Sequence, residues 1–119
     1  MTRPAAGTQT APIYADTTAL CQYVLGRLGD DPRALPLALC RTAIDLHGAV
    51  VLALGGRQRP QRLESADELL VLLRAQLRLA ASVGLFDDSQ LVHALERADT
   101  VGRQLGGWRR ALSQERGPA

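Results

Sequence analysis

Residue types that perform catalysis or bind metals are few in this chain and lie far apart in the sequence. There are two cysteines, Cys21 and Cys40, and two histidines, His47 and His93. Zinc sites need Cys and His at short, regular spacing, and a cysteine nucleophile needs a histidine held by an orienting acid. None of these patterns occurs in the sequence. We therefore expect no metal, no cofactor and no enzymatic activity.

Two carboxylate pairs, Asp30–Asp31 and Asp87–Asp88, are the remaining candidates for acid–base chemistry. Both pairs fall at predicted helix boundaries, where Asp commonly caps a helix or forms a turn. We therefore interpret both pairs as structural.

The two cysteines raise the question of a disulfide. If the first two helices are antiparallel, Cys21 and Cys40 lie at similar heights, and a disulfide is geometrically conceivable. A reducing cytosol favours buried free thiols instead.

Arginine is the residue whose distribution points to binding. All 14 basic residues are Arg, although the net charge is only +2, and the guanidinium group pairs bidentately with phosphate or carboxylate. Arg74 and Arg78 are one helical turn apart and share a face. We predict a partner-binding or nucleic-acid-binding set consisting of Arg57, Arg59, Arg62, Arg74, Arg78, Arg103, Arg109 and Arg110.

The alternative interpretation of these arginines is an ordinary solvated surface. Asp99 lies one turn before Arg103 and is placed to pair with it. In antiparallel neighbours the C-terminal halves lie at opposite ends, so we expect the arginines of the third and fourth helices to merge only through oligomerisation. The acids that would balance the charge are Glu64, Asp67, Glu68, Glu96 and Asp99.

The elements that must position these side chains are helices. Hydrophobic residues make up 46% of the sequence but aromatic residues only 3%, so Leu and Ala, which favour helices, dominate the apolar content. Apolar periodicity and turn residues predict four helices, at about 14–29, 35–55, 62–83 and 88–114. Residues 13–115 then form one all-α domain, an up-down-up-down four-helix bundle, between a flexible tail (1–12) and a frayed one (116–119).

Two further expectations concern location and assembly. No stretch reaches the ~18 apolar residues of a membrane span, and the N-terminus lacks the pattern of a secretory signal. We expect a cytoplasmic protein without a membrane partner. The second helix is apolar on most of its sides, which indicates a homo-oligomer because one bundle cannot cover it.

The third and fourth helices resemble those of a known family. The segments LLRAQLRLA and VGRQLGGWRRAL are similar to the accessory variability determinant (Avd) proteins of diversity-generating retroelements, within the wider four-helix-bundle family that includes the ribosomal RNA intervening-sequence proteins. Gly102, Leu105, Gly106 and Trp108 match the family pattern together with Arg103, and we expect these four to be structural. Glycine inside a helix costs about 1 kcal/mol relative to alanine, so Gly102 and Gly106, one turn apart, suggest that another helix approaches closely.

The resemblance implies a ring-shaped or barrel-shaped homo-oligomer, most simply a homopentamer. It implies partners as well: the retroelement's reverse transcriptase, RNA and, as a second nucleic acid, DNA. The protein would then be a non-enzymatic accessory factor in mutagenic complementary-DNA synthesis, with Arg74 and Arg78 in partner contact. The alternative is a helical protein-interaction module like the ribosomal RNA intervening-sequence proteins.

Overall fold

The structure is a computed structural model that describes residues 11–115, and its regular elements are all helices. Each helix packs on its neighbours in the chain, and the last closes against the first. Short turns join them, so successive helices run antiparallel. The all-α prediction is confirmed for residues 11–115, and the contacts are those of a four-helix bundle. The helices are α1 (Pro12–Leu28), α2 (Ala34–Leu54), α3 (Arg59–Ser82) and α4 (Asp88–Glu115).

The starts of two helices differ from the prediction. α1 begins at Pro12, inside the segment predicted to be a flexible tail, because proline fits the first turn of a helix. α3 begins at Arg59, earlier than the predicted 62, again with a proline in its first turn. Arg59 therefore belongs to α3, together with Arg62, which the prediction already placed in this helix. The rest of the predicted tails, 1–10 and 116–119, lies outside the described residues.

Leucine and alanine fill the core. In α4, Leu91, Ala98, Leu105 and Leu112 recur every seven residues. Ala98 and Leu105 are 0% exposed, which agrees with the structural role expected of Leu105. Leu91 and Leu112, at the two ends of the repeat, are only partly buried. The repeat therefore forms a seam along α4 that is fully buried in its middle and partly exposed at its two ends.

The outward face of α2 is not covered by the bundle. Leu37, Ile44 and Leu52 are 55%, 50% and 40% exposed, as the apolar breadth of this helix led us to expect. By length and composition α2 is also the one helix within residues 11–115 that could cross a membrane, and the core helix of a bundle meets the same criteria.

We predict that Leu105→Ala destabilises the fold strongly. Truncating a fully buried leucine removes its packing and leaves a cavity, which costs about 2–5 kcal/mol. Val92→Ala is the matched control in the same helix, because Val92 is 53% exposed and its truncation should change stability by less than about 0.5 kcal/mol. Urea unfolding of both variants measures the difference, and equal effects would contradict the assigned seam.

Candidate functional site

The carboxylate pairs have structural partners. Asp31 accepts hydrogen bonds from the Arg33 side chain, at 2.7 Å from Nη2, and these hold the pKa of the Asp31 carboxyl down at about 2. Asp87 Oδ1 accepts from the Gln90 backbone N–H at 2.7 Å, while Gln90 Oε1 accepts from the Asp87 N–H at 2.9 Å. The second arrangement is a reciprocal cap at the start of α4. One member of each pair, Asp31 or Asp87, therefore has the structural role that the sequence indicated.

Arg74 lies across the backbone of α4. Its Nη2 donates to Asp99 Oδ1 at 3.1 Å and to the Ala98 carbonyl at 3.4 Å. A Cβ at Gly102 would approach Arg74 Nη2 to 2.7 Å and Leu70 Cδ2 to 3.3 Å. Gly102 thus leaves the space in which the guanidinium sits, and Arg74 fastens α3 to α4.

Arg103 does not pair with Asp99 as the sequence spacing suggested. Asp99 pairs with Arg74 instead, and Arg103 Nη2 donates to Thr100 Oγ1 at 3.2 Å. The spacing within one helix could not show that a cation from α3 reaches the same carboxylate. Arg78, one turn beyond Arg74, is exposed and has no ion pair within residues 11–115, so the two arginines predicted to act together have different surroundings.

Two of the predicted arginine clusters meet at one end of the bundle. The Arg59 guanidinium carbon lies 5.5 Å from the centre of the Trp108 ring, and Arg109 Nη1 lies 3.3 Å from Asp67 Oδ2. These contacts bring the start of α3 beside the last turns of α4 without any second copy of the chain. We call this region the basic end; it contains Arg57, Arg59, Arg62, Arg109 and Arg110.

Arg59 and Arg109 of the basic end form contacts with other helices of the same chain. Arg59 Nε donates to the Ala53 carbonyl at 2.9 Å, so Arg59 joins the last turn of α2 to Trp108. Trp108 itself packs against the core but is only partly buried. Arg109 and Asp67 are 44% and 50% exposed, and such a pair contributes little to stability because water screens it.

The other cations of the basic end are available to a ligand. Arg57 and Arg110 are exposed, and Arg62 is partly buried. None of the three forms an ion pair within the described part of the chain. Arg110 folds back toward Gly106, where an added Cβ would meet its Nη1 at 3.4 Å. Gly106, which was expected to be structural, therefore has no side chain between the backbone of α4 and the Arg110 guanidinium.

An aromatic cluster near the other end of the bundle was not predicted. The Tyr23 ring lies 4.7 Å from the Arg27 guanidinium carbon and 4.9 Å from the centre of the His93 ring. Arg97 Nε donates to His93 Nε2 at 2.8 Å. The i, i+4 spacings of Tyr23 with Arg27 and of His93 with Arg97 were the available signal. The contact between Tyr23 of α1 and His93 of α4 joins these two helices, so we assign the cluster a structural role.

The two thiols are buried and free. A hydrogen bond of 3.1 Å between Thr18 and His47 sets α1 and α2 side by side near the cysteines. Burial raises the pKa of both thiols, and the neighbouring Cys40 raises that of Cys21 further. No group of three or more His, Cys, Asp or Glu side chains within residues 11–115 is arranged to hold a metal ion.

We predict that the thiols lower the stability of the fold in alkaline solution. Their raised pKa means that the folded chain holds these protons more tightly than the unfolded chain, in which the thiol pKa is about 8.5. The stability they contribute is complete below that value and is lost as the pH rises through the folded-state pKa. Urea unfolding between neutral and alkaline pH should show a smaller decline for Cys21→Ala/Cys40→Ala than for the wild type. Identical pH profiles would contradict the prediction.

We also predict that Gly102 and Arg74 are energetically coupled. Gly102→Ala should gain helix propensity, about 1 kcal/mol, but it displaces the Arg74 guanidinium. The stability gained from Gly102→Ala should therefore be larger in the Arg74→Ala background than in the wild type, by on the order of 1 kcal/mol. Gly26→Ala is the control, since nothing lies within 4 Å of its added Cβ; its effect should be the same in both backgrounds. A Gly102 effect that is also independent of Arg74 would rule out the coupling.

Comparison with known proteins adds no relative to this description. The chain matches no protein-family model, no curated protein and no solved structure. The similarity to the Avd family therefore rests on the residues of α3 and α4 that carry it.

Proposed function

We propose that this protein is a non-enzymatic accessory factor of a diversity-generating retroelement. It binds the reverse transcriptase and the template RNA in the cytoplasm and supports mutagenic complementary-DNA synthesis. The reverse transcriptase performs the chemistry, while this protein holds enzyme and template together. The partners come from the resemblance in α3 and α4, and the surface that would bind RNA comes from the arginines.

The observation that carries the proposal is the concentration of available cations at the basic end. Arg57 lies in the α2–α3 turn, Arg62 in the first turn of α3 and Arg110 in the last turns of α4, and none has a carboxylate partner within residues 11–115. A guanidinium in that state exchanges water for phosphate oxygens in two parallel hydrogen bonds. Binding also releases the counterions condensed on the nucleic acid.

Arg74, Arg78 and Arg103 form a second part of the proposed surface. Arg74 is only 28% exposed in its side chain, so its contribution is to fix the shape of the α3–α4 face. Arg78 and Arg103 are exposed beside it and present their charge outward. This face suits contact with the reverse transcriptase, because it combines cations with the exposed apolar side chains of α3.

A second candidate function is a helical homo-oligomeric interaction module that does not bind nucleic acid. The observation that favours it is the uncovered outward face of α2. Self-association belongs to both proposals, and the resemblance supplies five copies as the expected number. The two proposals differ in whether RNA and the reverse transcriptase bind.

We predict that Arg57→Ala/Arg62→Ala/Arg110→Ala weakens RNA binding at least tenfold at low salt. Each lost phosphate contact to single-stranded RNA should also make the dependence of log affinity on log salt shallower by roughly 0.7. The measurement is fluorescence anisotropy with a labelled single-stranded RNA of mixed sequence, over a series of salt concentrations. Arg27→Ala/Arg33→Ala/Arg97→Ala removes the same charge away from the basic end and should leave the slope near that of the wild type.

The outcomes separate the candidate functions. Equal salt slopes for the two triple variants would remove the basic end from the site. Absence of RNA binding by the wild type would leave the interaction module. Capture of the reverse transcriptase after ribonuclease treatment, compared between the wild type and Arg74→Ala/Arg78→Ala, tests the protein contact independently of RNA.

A further inference from the structure

An open cavity of about 210 Å³ lies at the basic end, between the start of α3 and the last turns of α4. We call it the end cavity. Sites that take whole drug-sized ligands measure about 300–1,000 Å³, so the end cavity suits a single small ring system. The residues that line it are Pro60, Leu63, Glu64, Arg109, Leu112 and Ser113.

The apolar part of the lining is held in place by the core. Leu63 is 0% exposed, and Leu112 is partly buried against the same cluster of core side chains. Pro60 adds a rigid ring in the first turn of α3. Binding sites for small molecules combine such apolar walls with a few polar groups that set the orientation of the ligand.

The polar groups of the end cavity come from both helices. Glu64 is exposed on α3 and forms no ion pair within residues 11–115. Arg109 belongs to α4, and its contact with Asp67 is an exposed pair that water weakens. An ionised carboxylate accepts hydrogen bonds through two oxygens, whereas a guanidinium only donates them. The end cavity therefore presents acceptors on one helix and donors on the other.

An unpaired guanine has the complementary edge. Its N1–H and its N2 amino group are adjacent donors, which match the two oxygens of one carboxylate, and its O6 is an acceptor beside them. Uracil would bring carbonyl oxygens against the carboxylate, while adenine and cytosine each offer one donor group there. Sequence-specific recognition of RNA uses unpaired bases because their Watson–Crick edges are free.

We propose that the end cavity binds one unpaired guanine of the RNA. The guanine N1–H and N2 amino group donate to Glu64, Arg109 donates to O6, and the ring lies against Leu112. Arg110, which follows Arg109 in the chain, binds a neighbouring phosphate. A carboxylate among cations lowers the affinity for phosphate in general, and here it provides selectivity between bases. This inference rests on the proposed function, because it specifies which nucleotide the basic end selects.

Fluorescence anisotropy with two labelled RNA strands tests the preference for guanine. One strand is oligouridine, and the other has the same length with a single central guanine. The wild type should bind the guanine strand about tenfold more tightly, as expected of one bidentate contact to a base. Inosine lacks the N2 amino group and should give only part of this preference. Annealing each strand to its complement should remove the preference.

Two variants connect the preference to the end cavity. Glu64→Gln replaces one acceptor by a donor and should abolish most of the preference. Ser113→Phe fills the cavity from an exposed position and should abolish it as well. The measured quantity is the ratio of the two affinities, since the loss of one negative charge raises both alike. Glu68→Gln is the matched control, because it removes the same charge one turn farther along α3, outside the lining of the cavity.

The outcomes separate this inference from the proposed function. Equal affinity of the wild type for the two strands would overturn the guanine site and would leave RNA binding at the basic end intact. A preference that both Glu64→Gln and Ser113→Phe retain, or that Glu68→Gln loses to the same extent, would also overturn the site. Failure of the wild type to bind either strand would overturn the proposed function and this inference together. Thermal melting followed by circular dichroism confirms that each variant is folded.

Discussion

The packing of α3 against α4 determines which cations of these two helices are paired. With almost no aromatic residues, the bundle is filled by Leu and Ala, and such small side chains allow helices to approach closely. At Gly102 the approach is close enough that the Arg74 guanidinium occupies the space of a missing side chain and reaches Asp99. This contact is made in the register that the packed Leu and Ala side chains give to α3 on α4. The same register brings the start of α3 beside the last turns of α4.

The basic end is a consequence of that register. Arg59 and Arg109 take part in contacts between helices, whereas Arg57, Arg62 and Arg110 are left for a ligand. A net charge of +2 for the whole chain gives little indication of a nucleic-acid partner, because it averages over surfaces that differ. The local arrangement is more informative, since phosphate binding depends on a few guanidinium groups that act together.

The uncovered apolar face of α2 and two of the cations proposed to meet RNA lie in different parts of the molecule. Leu37, Ile44 and Leu52 lie along α2, whereas Arg57 and Arg110 lie in the α2–α3 turn and near the end of α4. Self-association through the outward face of α2 would therefore leave Arg57 and Arg110 of successive copies accessible. Their repetition in an assembly would provide several weak phosphate contacts at once, which raises the effective affinity for a long polyanion. The breadth of apolar surface on α2 has a physical purpose in that arrangement.

The sequence by itself determined the number of helices and their approximate bounds. Apolar periodicity predicted four helices, because a buried stripe is a property of one helix and is visible in one segment. The same reasoning missed the early starts at Pro12 and Arg59, where a proline begins the helix inside a stretch that resembles a loop. It also identified the arginines as a set, but not their individual surroundings.

Only the tertiary structure decided which arginines are available. Asp99 was expected to pair with Arg103 and pairs with Arg74, and Arg109 finds Asp67 on another helix. Contacts between helices depend on register and rotation, which no single segment encodes. For the same reason the sequence could not show that the Arg57–Arg62 segment meets the end of α4, or that Gly102 makes room for a guanidinium. The sequence identifies the arginines, whereas the packing of the helices determines which residues lie beside each of them.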